Sequence, residues 1–259
     1  MVQNPNADTK QIIAYLDKVC EARLQPIIDE SYGSLAEYIN AFSQKMIMKR
    51  EALADKGIWT AKKRYILNVY NNEGVEYAKP KIKVMGLEMV KSSTPAACRT
   101  KLRESINVIF DGTETDMIQF IENFKKEFIE LPVSDIAFPR GVNGLTKFSD
   151  KSSIFGKGCP IHVRGSLIYN NLLKMKKLDK KYQAIKEGEK IKFIYLKQPN
   201  IIQSNIISFP NSIPKEFDVD KYIDYDLQFD KSFVEPLKII LDSIGWKTEH
   251  VNTLEDFFS

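Results

Sequence analysis

The sequence predicts an α+β fold, because helix-like and strand-like apolar patterns occupy separate stretches of the chain. Residues 64–85 form two strand-like runs around the turn sequence Asn-Asn-Glu-Gly, which predicts a β-hairpin. On both sides of this hairpin, apolar residues recur every three or four positions, as on one face of a helix. With 259 residues, 43% of them hydrophobic, the chain is long enough for one large domain or two smaller ones.

Two helical patterns precede the hairpin. The first predicts a helix over residues 10–28, which Pro26 is expected to bend or end. The second runs from Leu35 to Met46. Within the hairpin, lysines alternate with apolar residues or proline along the second strand, so one face is expected to be basic while the other packs; these lysines are Lys79, Lys81 and Lys83.

Helical patterns also dominate the chain after the hairpin. Thr94 as N-cap and Pro95 at the first helical position predict one helix start, and Thr113 is expected to cap a second helix. Residues 132–160 are typical of a loop, because Gly, Pro and Ser are frequent there. The remaining predicted elements are a helix near 162–177, strands near 190–198 and 201–209, and a late helix at 229–245.

Composition excludes several classes of protein. No apolar run approaches the roughly 20 residues of a membrane span, so no membrane partner is expected, and the N-terminus lacks the pattern of a secretory signal. Three widely spaced cysteines favour reduced thiols over a disulfide framework. With only His162 and His250, no Cys/His cluster at zinc spacing is available, and no metal site is predicted.

The charges are distributed unevenly. Residues 56–103 contain 11 Lys or Arg against 3 Asp or Glu, and residues 157–192 contain 10 against 3. The last stretch, 216–259, reverses the balance with 4 against 11. Charge runs are often simply solvated surfaces, but two basic blocks that include aromatic residues favour a polyanionic partner.

Three consecutive cations, Lys62, Lys63 and Arg64, stand immediately before Tyr65 at the start of the predicted hairpin. The minor groove of duplex DNA presents acceptors in nearly equivalent places at every base pair. A lysine or tyrosine donor directed there would bind any correct pair without reading sequence. The alternative is a basic strand edge that only discourages aggregation.

Several segments together resemble the C-terminal part of family B DNA polymerases, most closely the replicative polymerases of T-even-type phages. The segment "KKRYILNVYNNEGVEYAKPKIKVMGLEMVKSSTP" resembles the junction of palm and thumb. "CPIHVRGSLIYN" and "YIDYDLQFDKSFVEPL" resemble thumb segments, and "DTKQIIAYLDKVCEARLQPIID" resembles a palm helix. The matches follow the family's order along nearly the whole chain, which makes them more specific than any single motif.

The resemblance implies a domain plan. Residues 1–90 would form the C-terminal part of the palm, including the DNA-contacting hairpin 64–85, and residues 91–250 a mainly helical thumb. Residues 251–259 would form a tail that binds the sliding clamp, in which the anchors would be Leu254, Phe257 and Phe258. The alternative for this tail is that it folds back on its own domain.

The resemblance also implies DNA contacts. Lys63 and Tyr65 match family residues at the minor groove of newly formed primer–template pairs, and Lys62 adds charge beside them. Further contacts would come from Lys91, Ser92 and Ser93 at a helix N-terminus, where anions are favoured, and from His162 and Arg164. The alternative for Ser93 and Thr94 is capping alone, a role that is compatible with a DNA contact, and the alternative for His162 is a structural role. Gly158 stands where relatives carry a lysine, which puts a contact from Lys157 in doubt.

The family's catalytic aspartates have no match here, so no catalytic residue is predicted. In the assembled polymerase, Mg²⁺ would be held by an N-terminal polymerase half that carries those aspartates. Tyr222, Asp224 and Asp226 imitate one metal motif but fall among thumb segments, where they predict a solvated acidic patch. Glu51 matches a palm carboxylate, yet one carboxylate cannot form that site.

The sequence therefore predicts one part of a DNA-directed DNA polymerase, a nucleotidyltransferase, that is inactive alone. A split phage polymerase acting in the cytoplasm of an infected bacterium is the expected setting, although an experimentally shortened polymerase would read the same. A non-catalytic, stand-alone duplex-binding module and a purely structural remnant are the alternatives.

Overall fold

The computed structural model describes residues 8–149 and 158–250. These residues form helices and two small antiparallel sheets, which confirms the α+β prediction. They divide into two compact units, one ending at Met85 and the other beginning at Gly86. None of the described helices has the length and apolar character needed to cross a membrane.

The first unit opens with a helix that continues through Pro26. Helix α1 spans Thr9–Val19, a π-helical turn covers Cys20–Leu24, and α2 spans Gln25–Tyr38. Pro26 lies in the first turn of α2, where a missing N–H costs little because the preceding turn has already changed its hydrogen-bonding pattern. Of the two effects expected of Pro26, ending the helix is wrong, because α2 continues to Tyr38. The second helical pattern stops at Tyr38 instead of reaching Met46.

The sheet of the first unit has three strands in sequential order, β1 (Ala52–Ala61), β2 (Arg64–Asn72) and β3 (Val75–Met85). The predicted hairpin β2–β3 is confirmed, with Asn72 opposite Val75. Its two-residue turn, Glu73-Gly74, has positive φ at both positions, as type I′ turns require. Strand β1, which the sequence did not predict, pairs with β2 on the other side.

A hydrogen-bonded arginine joins α1 to this sheet. The Arg50 guanidinium bonds Asp17 Oδ1 at 2.5 Å and Asn71 Oδ1 at 3.0 Å. The same Asn71 oxygen accepts the Gly74 N–H at 3.0 Å, within the β2–β3 turn. Because Asn71 is buried, these bonds satisfy a polar group that water cannot reach.

Two helices begin the second unit. Helix α3 spans Ala96–Asp111 and α4 spans Glu114–Phe128. Thr113 caps α4 as predicted, accepting the Asp116 N–H while Asp116 accepts the Thr113 N–H at 2.8 Å. At α3 the predicted start is one residue too early, since Pro95 occupies the N-cap position and Thr94 is buried.

The stretch predicted as a loop contains regular structure. Helix α5 covers Val133–Ile136, and strand β4 covers Phe138–Gly141. Strand β4 pairs with β5 (Lys190–Tyr195), which pairs with β6 (Ile206–Phe209). Strand β4 was not predicted because it contains proline and glycine, which are poor strand formers. Pro139 is tolerated because β4 is an edge strand.

Helix α6 (Ile161–Met175) packs across β6. A Cβ at Gly165 would come within 2.5 Å of Ser208 Oγ, so helix and strand approach closely only because this residue is glycine. The Ser208 hydroxyl also donates to the His162 carbonyl at 2.9 Å. These contacts fix the first turn of α6 against the sheet.

The late helix is interrupted. Helix α7 (Tyr225–Phe229), a π-helical turn (Asp230–Val234) and α8 (Glu235–Asp242) follow one another directly. Their aromatic residues pack against α4, where Phe124 lies 4.8 Å from Phe233 and 5.6 Å from Phe229 between ring centroids. This aromatic cluster forms the core between α4 and the end of the second unit.

Candidate nucleic-acid interface

The predicted cations of the first unit lie on a tight turn. Ala61 pairs with Arg64, so Lys62 and Lys63 alone connect β1 to β2. Both are exposed, and neither forms an ion pair with any part of the chain that the structure describes. Lys63 has a φ of +63°. This is the left-handed backbone conformation, which few residues other than Gly, Asn and Asp adopt.

Tyr65 follows this turn on a face that solvent reaches. In the register of the sheet, Tyr65 lies between Trp59 on β1 and Met85 on β3, so the three side chains share one face. Trp59 is 66% exposed, whereas Ile66, on the opposite face, is fully buried. We call Trp59, Lys62, Lys63 and Tyr65 the tip surface.

Trp59 was not among the predicted site residues. Its indole lies over Gly57, because a Cβ at that glycine would stand 2.6 Å from Trp59 Cη2 and 2.8 Å from Cζ3. The signal in the sequence was the alternation of Gly57, Ile58 and Trp59. In a strand, Ile58 would point to one face, and Gly57 and Trp59 would point to the other.

The other lysines of the sheet are differently placed. Lys83 bonds Glu51 Oε1 at 2.5 Å and Asn72 Oδ1 at 2.8 Å, and this carboxylate partner raises the pKa of the Lys83 ammonium. The Lys81 ammonium lies 4.1 Å from the centre of the Tyr77 ring. The charge of Lys83 is thus matched within the chain, in contrast to that of Lys62 and Lys63.

The predicted contact residues before α3 have different surroundings. Lys91 pairs with Glu88 Oε1 at 2.7 Å, so its charge is already partly neutralised. Ser92 is exposed and Ser93 is half-buried. The Ser93 carbonyl accepts a bond of 2.6 Å from Nη1 of Arg140, a residue that the sequence analysis did not select.

Arg140 also links Ser93 to His162, another predicted site residue. The guanidinium lies 5.7 Å from the ring of Phe138 and 5.8 Å from that of Phe193. The His162 ring stacks on Phe193 with 6.4 Å between centroids. We call Ser93, Arg140, His162 and Phe193 the Arg140 cluster.

Burial and the Arg140 charge both lower the pKa of His162. The imidazole is therefore neutral at pH 7, and it can donate or accept one hydrogen bond without adding charge. Burial likewise lowers the pKa of Arg140, which nevertheless stays protonated.

This arrangement predicts a coupled titration. In Arg140→Gln, the pKa of His162 is expected to rise, because removing a nearby positive charge makes the imidazolium less unfavourable. NMR titration of the His162 imidazole resonances in the wild type and in the variant measures it. An unchanged His162 pKa in the variant would show that the guanidinium does not lie beside this ring.

Arg164 lies on α6 and is half-buried. Its Nη2 donates to Asn205 Oδ1 at 2.9 Å. Its Nε is buried and has no hydrogen-bond partner among the described residues. The charge of Arg164 also acts on Cys159, opposing the effect of burial, which raises the pKa of that thiol.

The acidic residues that imitate a metal motif have structural partners. Asp224 caps α7 by accepting the Leu227 N–H at 3.0 Å, and Asp226 pairs with Lys125 at 2.9 Å. Within residues 8–149 and 158–250, no three His, Cys, Asp or Glu side chains come together as a metal site would need. The predicted clamp anchors Leu254, Phe257 and Phe258, and Lys157, lie outside the described residues.

Two curated proteins are similar to nearly the whole chain. The DNA-directed DNA polymerase of Enterobacteria phage T4 is 34% identical over 263 residues, and that of Escherichia phage RB69 is 35% identical over 264 residues. Each alignment covers 97% of this chain but only 29% of the relative. No protein-family model matches the sequence.

The matched segment lies in the C-terminal part of both relatives. The similarity confirms the resemblance found in the ordered motifs, although the chain spans less than a third of either phage enzyme. Over nearly its whole length, the chain is therefore similar to the C-terminal part of the DNA-directed DNA polymerases of these two phages.

Proposed function

We propose that this chain is the duplex-gripping C-terminal part of a DNA-directed DNA polymerase. The observation that carries the proposal is the tip surface, where two ammonium groups without a described ion-pair partner stand beside a half-buried tyrosine and an exposed tryptophan. A cation without a carboxylate partner remains available to a polyanion. Homology to two polymerases that act on DNA supports the same assignment.

In this proposal, Lys63 and Tyr65 donate to minor-groove acceptors of freshly paired bases while Lys62 lies near the backbone. Such contacts hold any correctly paired duplex, because the acceptors recur at every pair. Ser92, Ser93, His162 and Arg164 are proposed to contact the primer–template from the second unit. Lys91 contributes less than its charge suggests, since Glu88 holds it.

The proposal assigns the reacting groups to an N-terminal polymerase part. The described residues bring no metal-ligand cluster together, and Glu51 is paired with Lys83. Mg²⁺ would supply phosphoryl-transfer chemistry on that other part. What this chain's own residues do is bind and orient the primer–template.

Exposed apolar residues of the first unit support such a partner. Tyr38 is 88% exposed and Phe42 fully exposed, in a stretch that also contains exposed Leu24, Ile27, Ile39 and Ile47. Many exposed apolar side chains in one stretch are costly in water and are typical of an interface. We propose that the N-terminal polymerase part covers it.

A direct experiment is to measure binding of the purified chain to a fluorescein-labelled primer–template duplex by fluorescence anisotropy over a series of salt concentrations. Binding should weaken steeply as salt rises, because each phosphate contact releases counterions. Absence of binding at low salt would overturn the proposal. Templated synthesis on mixing with the N-terminal part would favour a polymerase subunit, whereas binding without synthesis in any such mixture would favour the stand-alone module.

The proposed clamp tether has its own test. Deleting residues 253–259 should shorten the products made by the assembled polymerase with its sliding clamp, since Leu254, Phe257 and Phe258 would no longer anchor it. Distributive synthesis without the clamp should stay unchanged. Equal product lengths with and without the tail, in the presence of the clamp, would remove the tether from the proposal.

A further inference from the structure

We propose that Arg140 is a further DNA-backbone contact of this chain, holding a phosphate beside Ser93 and His162. The inference rests on the proposed function, because it takes the ligand to be a phosphate of the same duplex. It adds a residue that neither the motifs nor the composition marked, on a strand that the sequence did not predict.

The first argument concerns donors. A guanidinium has five N–H groups, and in Arg140 only Nη1 is used, donating to the carbonyls of Ser93 at 2.6 Å and Pro139 at 2.8 Å. Nε and Nη2 donate to no described residue, and neither is among the buried atoms that lack a partner. These remaining N–H groups form the fork that binds phosphate oxygens in a bidentate manner.

The second argument concerns charge. No described carboxylate forms an ion pair with Arg140. Its neighbour Lys192, which lies opposite Pro139 in the sheet, donates to the Ser134 carbonyl at 2.7 Å and also has no described acidic partner. A half-buried guanidinium normally has an anionic partner, and within the described chain that partner is missing.

The third argument concerns rigidity. Phe138 and Phe193 stack with 5.1 Å between their ring centroids, and the guanidinium lies at similar distances from both rings. Two carbonyl bonds and two aromatic rings therefore fix its plane before any ligand arrives. Preorganised donors lose little conformational entropy on binding.

A purely structural role explains only part of this arrangement. Bracing the Ser93 carbonyl needs one neutral donor, which a glutamine amide supplies, and it needs no positive charge. The charge is the feature that separates the two roles. Arg140→Gln removes the charge and can keep the brace, while Arg140→Lys keeps the charge and changes the shape.

The experiment measures duplex affinity across salt concentrations for the wild type, Arg140→Gln and Arg140→Lys. Lys221→Gln is the control, because Lys221 is exposed and paired with Asp218. Arg140→Gln should reduce the slope of log affinity against log salt by about one and weaken binding several-fold at low salt. Arg140→Lys should keep the slope near that of the wild type, and Lys221→Gln should change neither quantity.

The outcomes separate this inference from the proposed function. If the wild type binds and Arg140→Gln keeps its slope, Arg140 is only a brace and the inference is overturned while the proposed function stands. Equal affinity losses in both Arg140 variants without a change of slope would lead to the same conclusion. If the wild type itself does not bind the duplex, the proposed function fails first.

Discussion

Replacing both tip lysines, as Lys62→Gln with Lys63→Asn, is expected to weaken binding of duplex DNA by on the order of tenfold or more at about 0.1 M salt. Each cation that contacts DNA contributes close to one unit of salt slope, so the slope should fall by about two. Asparagine is chosen at position 63 because it tolerates the positive φ found there. Fluorescence anisotropy with a labelled primer–template measures both quantities.

Lys238→Gln is the matched control for this double variant. Lys238 is also an exposed lysine, but Asp242 holds it at 2.8 Å, so losing its charge should leave the slope unchanged. If the double variant and this control bind alike, the tip surface does not touch DNA. Circular dichroism melting curves should show that all variants remain folded.

Phe124→Ala is expected to destabilise the second unit by about 4 kcal/mol. Phe124 is almost completely buried and packs against Phe128, Phe229 and Phe233. Alanine would leave a cavity between α4 and the last helices, which neighbouring rings cannot fill without leaving their rotamers. The midpoint of thermal unfolding should fall by roughly 10 °C.

Ile129→Ala is the comparison for this loss. Ile129 follows the same helix but is half exposed, so its replacement should change the free energy of unfolding by no more than about 0.5 kcal/mol. Similar destabilisation by both substitutions would mean that the aromatic cluster is not a tightly packed core. Urea unfolding followed by circular dichroism provides the free energies.

The sequence predicted those elements that are specified by their own residues, such as a turn or a helix cap. The β2–β3 hairpin follows from an Asn/Gly turn between β-rich runs, and the start of α4 follows from Thr113 and Asp116. Strand β1 escaped prediction because Asp55, Lys56 and Gly57 interrupt its alternation. Its pairing with β2 is what makes it a strand, and pairing is not visible in a single segment.

The candidate site shows the same division. Lys62, Lys63 and Tyr65 form a compact motif, and the structure leaves the two lysines exposed and unpaired within the described chain. Arg140 has no motif around it, and its importance depends on a carbonyl 47 residues away and on rings from two strands. Conversely, the ion pair between Glu88 and Lys91 was not predicted, because such a pair depends on side-chain direction as well as on spacing.

At Lys63, the left-handed backbone makes the residue that is best for stability different from the residue that is best for binding DNA. A lysine in that conformation costs roughly 1 kcal/mol relative to glycine, so Lys63→Gly should melt at a higher temperature while losing an ammonium group. Selection for thermal robustness alone would thus discard this side chain. Choosing substitutions at this position by stability ranking alone would therefore remove the ammonium group that we propose binds DNA.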